Sequence, residues 1–162
     1  METTGVTRML HNGLQGTGAH AYVSHILEDL DWQLAGQRLT GSPHTIWQIL
    51  NHLIYWQDFC LQLLSGEEPS VPDHAIDSWP GTDQPTGAAE WEEGVQNFLA
   101  DTQEAMHDAS TDVELEVAFR PGRSRAEVLG MVIGHNSYHL GQIVLLRQML
   151  GSWPPPSGGD TW

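Results

Sequence analysis

Hydrophobic positions along the chain fall into four stretches with the three-and-four spacing of helices, separated by segments rich in Gly, Pro, Ser and Asp. The first runs from about Leu14 to Asp31, with Ala19, Val23, Ile26, Leu27 and Leu30 on its apolar side. Trp32 to Leu39 adds a further turn before Gly41-Ser42-Pro43 stops it, and residues 1–12 are patterned only weakly enough for a lead-in. The second begins at Thr45, where Thr45 and Gln48 can form a capping box, and continues to about Leu64 ahead of Ser65-Gly66. Its inward positions are Ile49, His52, Leu53, Trp56, Phe59, Cys60 and Leu63. The third, Ala88 to Ala109, turns Trp91, Val95, Phe98, Leu99, Thr102 and Met106 inward and carries Glu90, Glu92, Glu93, Asp101, Glu104 and Asp108 on a solvated face. The fourth opens on a Ser124/Glu127 capping box and ends at Leu150, before Gly151 and Pro154-Pro155-Pro156. The fold class is therefore all-α.

Two connections matter for how such helices can be arranged. Ser65 to Gly87 is long for a compact helical protein. A twenty-residue helix spans about 30 Å and an extended connector of this size reaches roughly twice as far, so the second and third helices can run parallel. His74 within it is expected to be exposed. Val113 to Phe119 alternates apolar and acidic residues in a short extended segment, and Arg120-Pro121-Gly122 turns into the fourth helix.

Histidines interrupt two of the apolar stripes. The inward face of the fourth helix reads Val128, Met131, Val132, His135, His139, Gln142, Ile143, Leu146 and Leu150, so His135 and His139 project from one side, one turn apart. That spacing suits a metal, and it equally suits two core histidines bonded to backbone or water. His52 intrudes into the second stripe in the same way, near the middle of its helix, and three such intrusions in a small protein point toward a site. His20 and His25 lie beside the first helix and off its apolar side, which suits a solvated or hydrogen-bonded role.

The length of 162 residues is that of one domain, taken here as 1–162. Six basic against 21 acidic residues, a net charge of −15, exclude the basic footprint that nucleic acid or an anionic membrane surface requires. The uncharged run from Val128 to Leu146 is long enough to consider as a membrane span, but His135, Asn136, Ser137, His139 and Gln142 through its centre place it inside a protein instead. With no signal sequence and one cysteine, Cys60, a cytoplasmic location is expected. Asn136 stands where a His-Glu-x-x-His zinc protease needs its glutamate, and Glu104/His107 is the one Glu-x-x-His pair where a di-iron bundle needs two. Gly-rich phosphate loops, a Gly-x-Ser-x-Gly elbow and Cys-x-x-Cys pairs are absent from the sequence.

Three segments together resemble a known family: Thr45-Ile-Trp-Gln-Ile-Leu-Asn-His52-Leu-Ile-Tyr-Trp56, His135-Asn-Ser-Tyr-His139-Leu-Gly-Gln-Ile143, and the tail Trp153-Pro-Pro-Pro-Ser-Gly-Gly-Asp-Thr-Trp162. In order and spacing they are similar to the DinB/YfiT-like superfamily of metal-dependent enzymes. The resemblance implies a four-helix bundle in up-down-down-up order, commonly a homodimer, with a divalent metal such as nickel or zinc on His52, His135 and His139. It also implies activities of the thiol S-transferase kind, with a low-molecular-weight thiol as cofactor and an electrophilic small molecule as substrate. The mycothiol-dependent isomerases among such proteins carry an extra C-terminal domain for which this chain has no room.

Three imidazole ligands leave open positions on a metal and suit zinc, nickel, copper or iron(II) alike. A thiol or water bound there loses its proton more easily. The expected function is a metal-dependent thiol S-transferase; a hydrolase using a metal-bound water and a non-catalytic metal-binding stress protein are the alternatives. Trp56, Tyr138 and Gln142 lie within one turn of a ligand and are the expected pocket or supporting residues, or else core and dimer contacts. The Pro-rich tail is expected to be extended and pinned by Trp153 and Trp162.

Overall fold

The computed structural model describes residues 5–110, 114–120 and 122–159. Lead-in residues 1–4, Val113, Pro121 and Trp162, on which some of the expectations above fall, lie outside them. The described chain is all-helical, with α1 Gly5–Gln15, α2 Val23–Leu27, α3 Trp32–Ala35, α4 Ile46–Ser65, α5 Ala88–Ser110 and α6 Arg125–Met149. A 3₁₀ turn, Ala75–Ser78, lies in the connector, and β1 Ala118–Arg120 pairs antiparallel with β2 Arg123–Ser124 ahead of α6. No helix among the described residues is long and apolar enough to cross a membrane.

Two of the long helices, α4 and α6, begin and end where local chemistry puts them. Thr45 and Gln48 form the reciprocal capping box of α4, and Ser124 and Glu127 that of α6. Gly66 and Gly151 follow the two helices in the left-handed conformation that costs glycine nothing.

The first predicted helix needs correction. Instead of one helix from Leu14 to Asp31, α1 occupies most of the supposed lead-in, stops at Gln15, and is followed by two short helices. Gly16 and Gly18 take positive φ and turn the chain, and a Cβ on Gly16 would lie 2.6 Å from the His20 ring. Ala19, expected inside, is exposed. A further left-handed residue, Asp29, separates α2 from α3, whose Leu34 N–H donates to the Asp31 cap at 2.8 Å. What holds α1 is a sparse stripe of Thr7, Leu10 and Leu14, packed against α5 and α6.

α4 packs on α5 and α6, and α5 and α6 also meet. Two apolar clusters result. One gathers Trp47, Leu50, Leu53, Trp91, Phe98, Leu140 and Ile143 with α2; the other gathers Leu10, Leu14, Cys60, Leu64, Ala105, Val128 and Val132. On α4 the gap between them falls at Trp56 and Gln57, and on α6 at His135, Asn136 and His139. A polar layer thus interrupts the core, and His52 stands at its edge.

The long connector is tied down at its far end. Asp83 accepts from Arg38 Nε at 2.9 Å and Gln48 Nε2 at 3.2 Å, and the Thr45 hydroxyl donates to the Asp83 carbonyl at 2.6 Å. The start of α4 therefore decides where the connector passes. His74 within it is exposed, and His20 has the hydrogen-bonded role expected, between Ala21 O and Ser137 Oγ. Trp153 pins the tail as expected, packed on the first cluster under the Arg147 guanidinium, and Ser157 bonds back to Glu28.

Three acidic residues predicted for the solvated face of the third helix, Glu90, Asp101 and Asp108, are only partly exposed. Asp101 is half-buried, and burial, then the carboxylates of Asp58 and Glu104, push it up to about 6. The native chain therefore holds the Asp101 proton more tightly than the unfolded chain does, so this group's contribution falls as pH rises from about 4 through 6. Asp101→Asn is expected to raise stability at pH 7–8 by about 1 kcal/mol, the full shift being discounted for partial exposure. Urea midpoints between pH 4 and 8 check this; the variant should lose the wild-type decline across that window.

Candidate metal centre

His52 comes from the middle of α4 and His135 and His139 from successive turns of α6. The three rings meet in the interrupted layer of the core: one ligating nitrogen from each lies within 4.8 Å of the other two, and ring centroids are 4.6, 4.8 and 5.1 Å apart. His52 and His139 are each 7 % exposed, and His135 is half-buried.

Hydrogen bonds orient two of the rings. His52 Nδ1 donates to Ser78, 3.2 Å from its carbonyl and 3.1 Å from its hydroxyl oxygen, and His139 Nδ1 donates to Gln142 Oε1 at 2.8 Å. Both acceptors leave the Nε2 lone pair of the ring free for the interior. His135 Nε2 lies 3.2 Å from His52 Nε2. Burial first, and then the neighbouring imidazoles, push His52 and His135 down to about 4, and burial also lowers His139. Near pH 7 the rings are therefore neutral, the form that ligates.

The residues expected around the cluster are all beside it. Gln142 is the His139 acceptor; Tyr138, 67 % exposed, stands edge-on to His139 with centroids 4.9 Å apart; Trp56 meets His52 and His135 edge-on at 6.4 Å each. The pattern of apolar residues missed the contribution of the connector. Trp79 lies parallel to His52 at 3.8 Å and to His44 at 3.6 Å, both within 7°. Two rings that close and that parallel cannot share one face of the indole, so Trp79 is sandwiched between them. Helical periodicity cannot report a residue outside a helix, and Ser78 and Trp79 carried no other signal. Asn136 and Gln57, buried beside the histidines, were also missed, although Asn136 directly follows His135 and Gln57 stands five positions after His52. The acceptors on His52 and His139 are Ser78 and Gln142.

Beside His139 a cavity of about 580 Å³ opens to solvent, with His44, Trp79, Tyr138 and Gln142 on its walls and Ile49 and Leu146 deeper in. A second cavity of similar size, between Leu27, Trp32 and Trp91, lies away from the histidines and contains no histidine or cysteine.

The donor set suits a metal on grounds internal to the site. Three neutral imidazoles converge, and two have their outer nitrogens bonded to oxygen acceptors. Fold and site together define an all-helical protein whose three clustered histidines can hold a metal ion. The sequence model of the DinB superfamily matches residues 15–143, and the chain belongs to that superfamily, whose members are associated with metals. No curated protein and no solved structure is matched by the chain.

Proposed function

We propose that the protein is a metal-dependent thiol S-transferase, with His52, His135 and His139 holding nickel or zinc and a low-molecular-weight thiol attacking an electrophilic substrate. The observation that carries this reading is the cavity of about 580 Å³ against His139, roomy enough for two small molecules and walled mainly by apolar side chains. Three ligands leave positions free for a substrate atom, as catalytic sites do. When bound, a divalent ion supplies the electrostatic stabilisation of a thiolate near neutral pH. Ser78 and Gln142 keep the His52 and His139 lone pairs directed inward. The apolar wall limits competing attack by water. His44, held neutral by burial and then by Arg38, stands on the cavity wall and takes the thiol proton. Sulfur then bonds to the electrophilic carbon as the leaving group departs, and Tyr138, at the mouth, donates a hydrogen bond to substrate.

The wider reading is a single domain, residues 1–162, forming a four-helix bundle of α1, α4, α5 and α6 in up-down-down-up order. Support comes from the order in which helices visit the two apolar clusters: α4 and α5 pass from the first to the second, α6 from the second to the first. A cytoplasmic homodimer completes it. The outward side of α6 carries Met131, Tyr138, Leu145 and Met149, all 45–67 % exposed, and the run Val128–Leu146 bears no charge in a chain of net −15. Two copies would meet there with the least repulsion.

The test is conversion of an electrophile such as 1-chloro-2,4-dinitrobenzene by nickel- or zinc-loaded protein with bacillithiol, glutathione or cysteine supplied. The expected result is thiol-dependent turnover that is lost in His52→Ala. Ester hydrolysis without any thiol would replace this reading with a metal-dependent hydrolase. Metal binding with neither activity would leave a non-catalytic metal-binding stress protein.

A further inference from the structure

The hydrogen bonds around the cluster assign its protons. Ser78 O has no proton to give and Ser78 Oγ spends its own on Ala75 O at 2.8 Å, so the His52 proton sits on Nδ1 and its Nε2 carries a lone pair. That lone pair faces His135 Nε2 at 3.2 Å. Two lone pairs so close repel, so without a metal the His135 proton lies on Nε2 and points at His52. A cation held by Nε2 of both rings would need both lone pairs, and the His135 proton would then move to Nδ1, where it requires an acceptor.

A buried amide pair supplies one. Gln57 Nε2 donates to Phe98 O at 2.9 Å and to Thr102 Oγ1 at 3.4 Å, while Thr102 Oγ1 donates to Phe98 O at 2.8 Å. Phe98 O can only accept, which fixes the Gln57 amide; its Oε1 then receives Asn136 Nδ2 at 2.5 Å. Asn136 Oδ1 is therefore the acceptor end of the chain, and it has no partner at full hydrogen-bond geometry among the described residues, although Asn136 is only 6 % exposed. Burying such an oxygen without a partner is costly, and its persistence demands a reason. Asn136 and His135 share a chamber of about 80 Å³ with Trp56 and Cys60, large enough for a water. The Asn136 side chain is already near enough to offset part of the fall in the His135 pKa. Cys60, whose thiol burial pushes up to about 11, stays protonated and is a poor acceptor.

We propose that Asn136 is the positioning residue for His135: its Oδ1 accepts the His135 Nδ1 proton, directly or through one water in the chamber, once the three histidines take up a metal. This rests on the three-histidine metal reading above. Ser78, Gln142 and Asn136 then perform the same task for His52, His139 and His135. The one unpaired oxygen of the buried network is the place reserved for the proton that metal uptake displaces.

Long-range proton–nitrogen NMR of the imidazoles, with and without zinc, is the test. His135 is expected to carry its proton on Nε2 in the metal-free protein and on Nδ1 in the zinc-loaded one. Asn136→Leu is expected to weaken zinc binding about 10–100-fold in a competition titration. A merely structural asparagine would lower stability and leave both zinc affinity and tautomer unchanged. His135 ligating through Nδ1 in the loaded wild type, or zinc binding in Asn136→Leu within twofold of wild type, would overturn the positioning role while leaving the metal site intact. If Asn136→Leu does not fold, the wild-type spectra decide. Wild type that takes up no zinc would remove the metal reading and this role together.

Discussion

Protein purified without a histidine tag is expected to carry close to one equivalent of nickel or zinc, and His52→Ala to carry almost none. The size of the effect follows from where His52 sits. It is the one member of the cluster supplied by α4, and its Nδ1–H is already held by Ser78, so its loss leaves two imidazoles of α6 facing the connector. Two neutral ligands bind a divalent ion far more weakly than three. Removing the imidazole also leaves Trp79 stacked on His44 alone. Elemental analysis and the melting temperature with and without added metal check the expectation. Wild type that remains metal-free after supply of either metal would sink it.

Arg147→Ala is expected to be the most destabilising single change remote from the site. Arg147 is only 1 % exposed; its Nη1 donates to Ile26 O at 2.7 Å, and Nε and Nη2 donate to Ser152 O at 3.2 and 2.7 Å. Burial lowers its pKa, and Asp29 and Glu28 oppose that fall. Its guanidinium also lies over Trp153 at 5.5 Å. One side chain thus ties together α6, the end of the five-residue α2 and the start of the tail, two segments too short to hold their own shape. Truncation removes the packing and takes the donor from the buried Ile26 carbonyl and the partly buried Ser152 carbonyl, a loss of about 3 kcal/mol or more, or roughly 10 °C in melting temperature. Differential scanning calorimetry measures it. Arg147→Lys, which can reach one carbonyl but cannot fork to both, should fall between the two. A shift of less than about 2 °C in Arg147→Ala would contradict the role given to this residue.

Helices whose ends depend on neighbours in sequence were legible. The Thr45/Gln48 and Ser124/Glu127 boxes and the caps at Gly66 and Gly151 stand where local spacing put them, because each is closed within a few residues. α1 was not legible: Thr7, Leu10 and Leu14 over three turns make a faint stripe, and it is packing on α5 and α6 that stabilises so short a helix. The histidines were legible because neutral rings in an apolar stripe violate its pattern. Their oxygen partners were less so. Gln142 lies one turn from His139 and could be named, whereas Ser78 reaches His52 from 26 positions away.

From the sequence alone came an all-helical chain, the limits of α4, α5 and α6, membership in the DinB superfamily and the three histidines, because each depends on the spacing of residues along a helix or on short local motifs. The tertiary structure decided which face of the cluster is open and which is covered. Asp83, bonded to Arg38 and Gln48, sets the path of the connector, and that path brings Ser78 and Trp79 against His52 while leaving the cavity beside His139 free. The tertiary structure also decided the direction of the Asn136 amide, through a chain of bonds that ends on a carbonyl of α5. Such contacts join positions dozens of residues apart, and no periodicity along the chain records them.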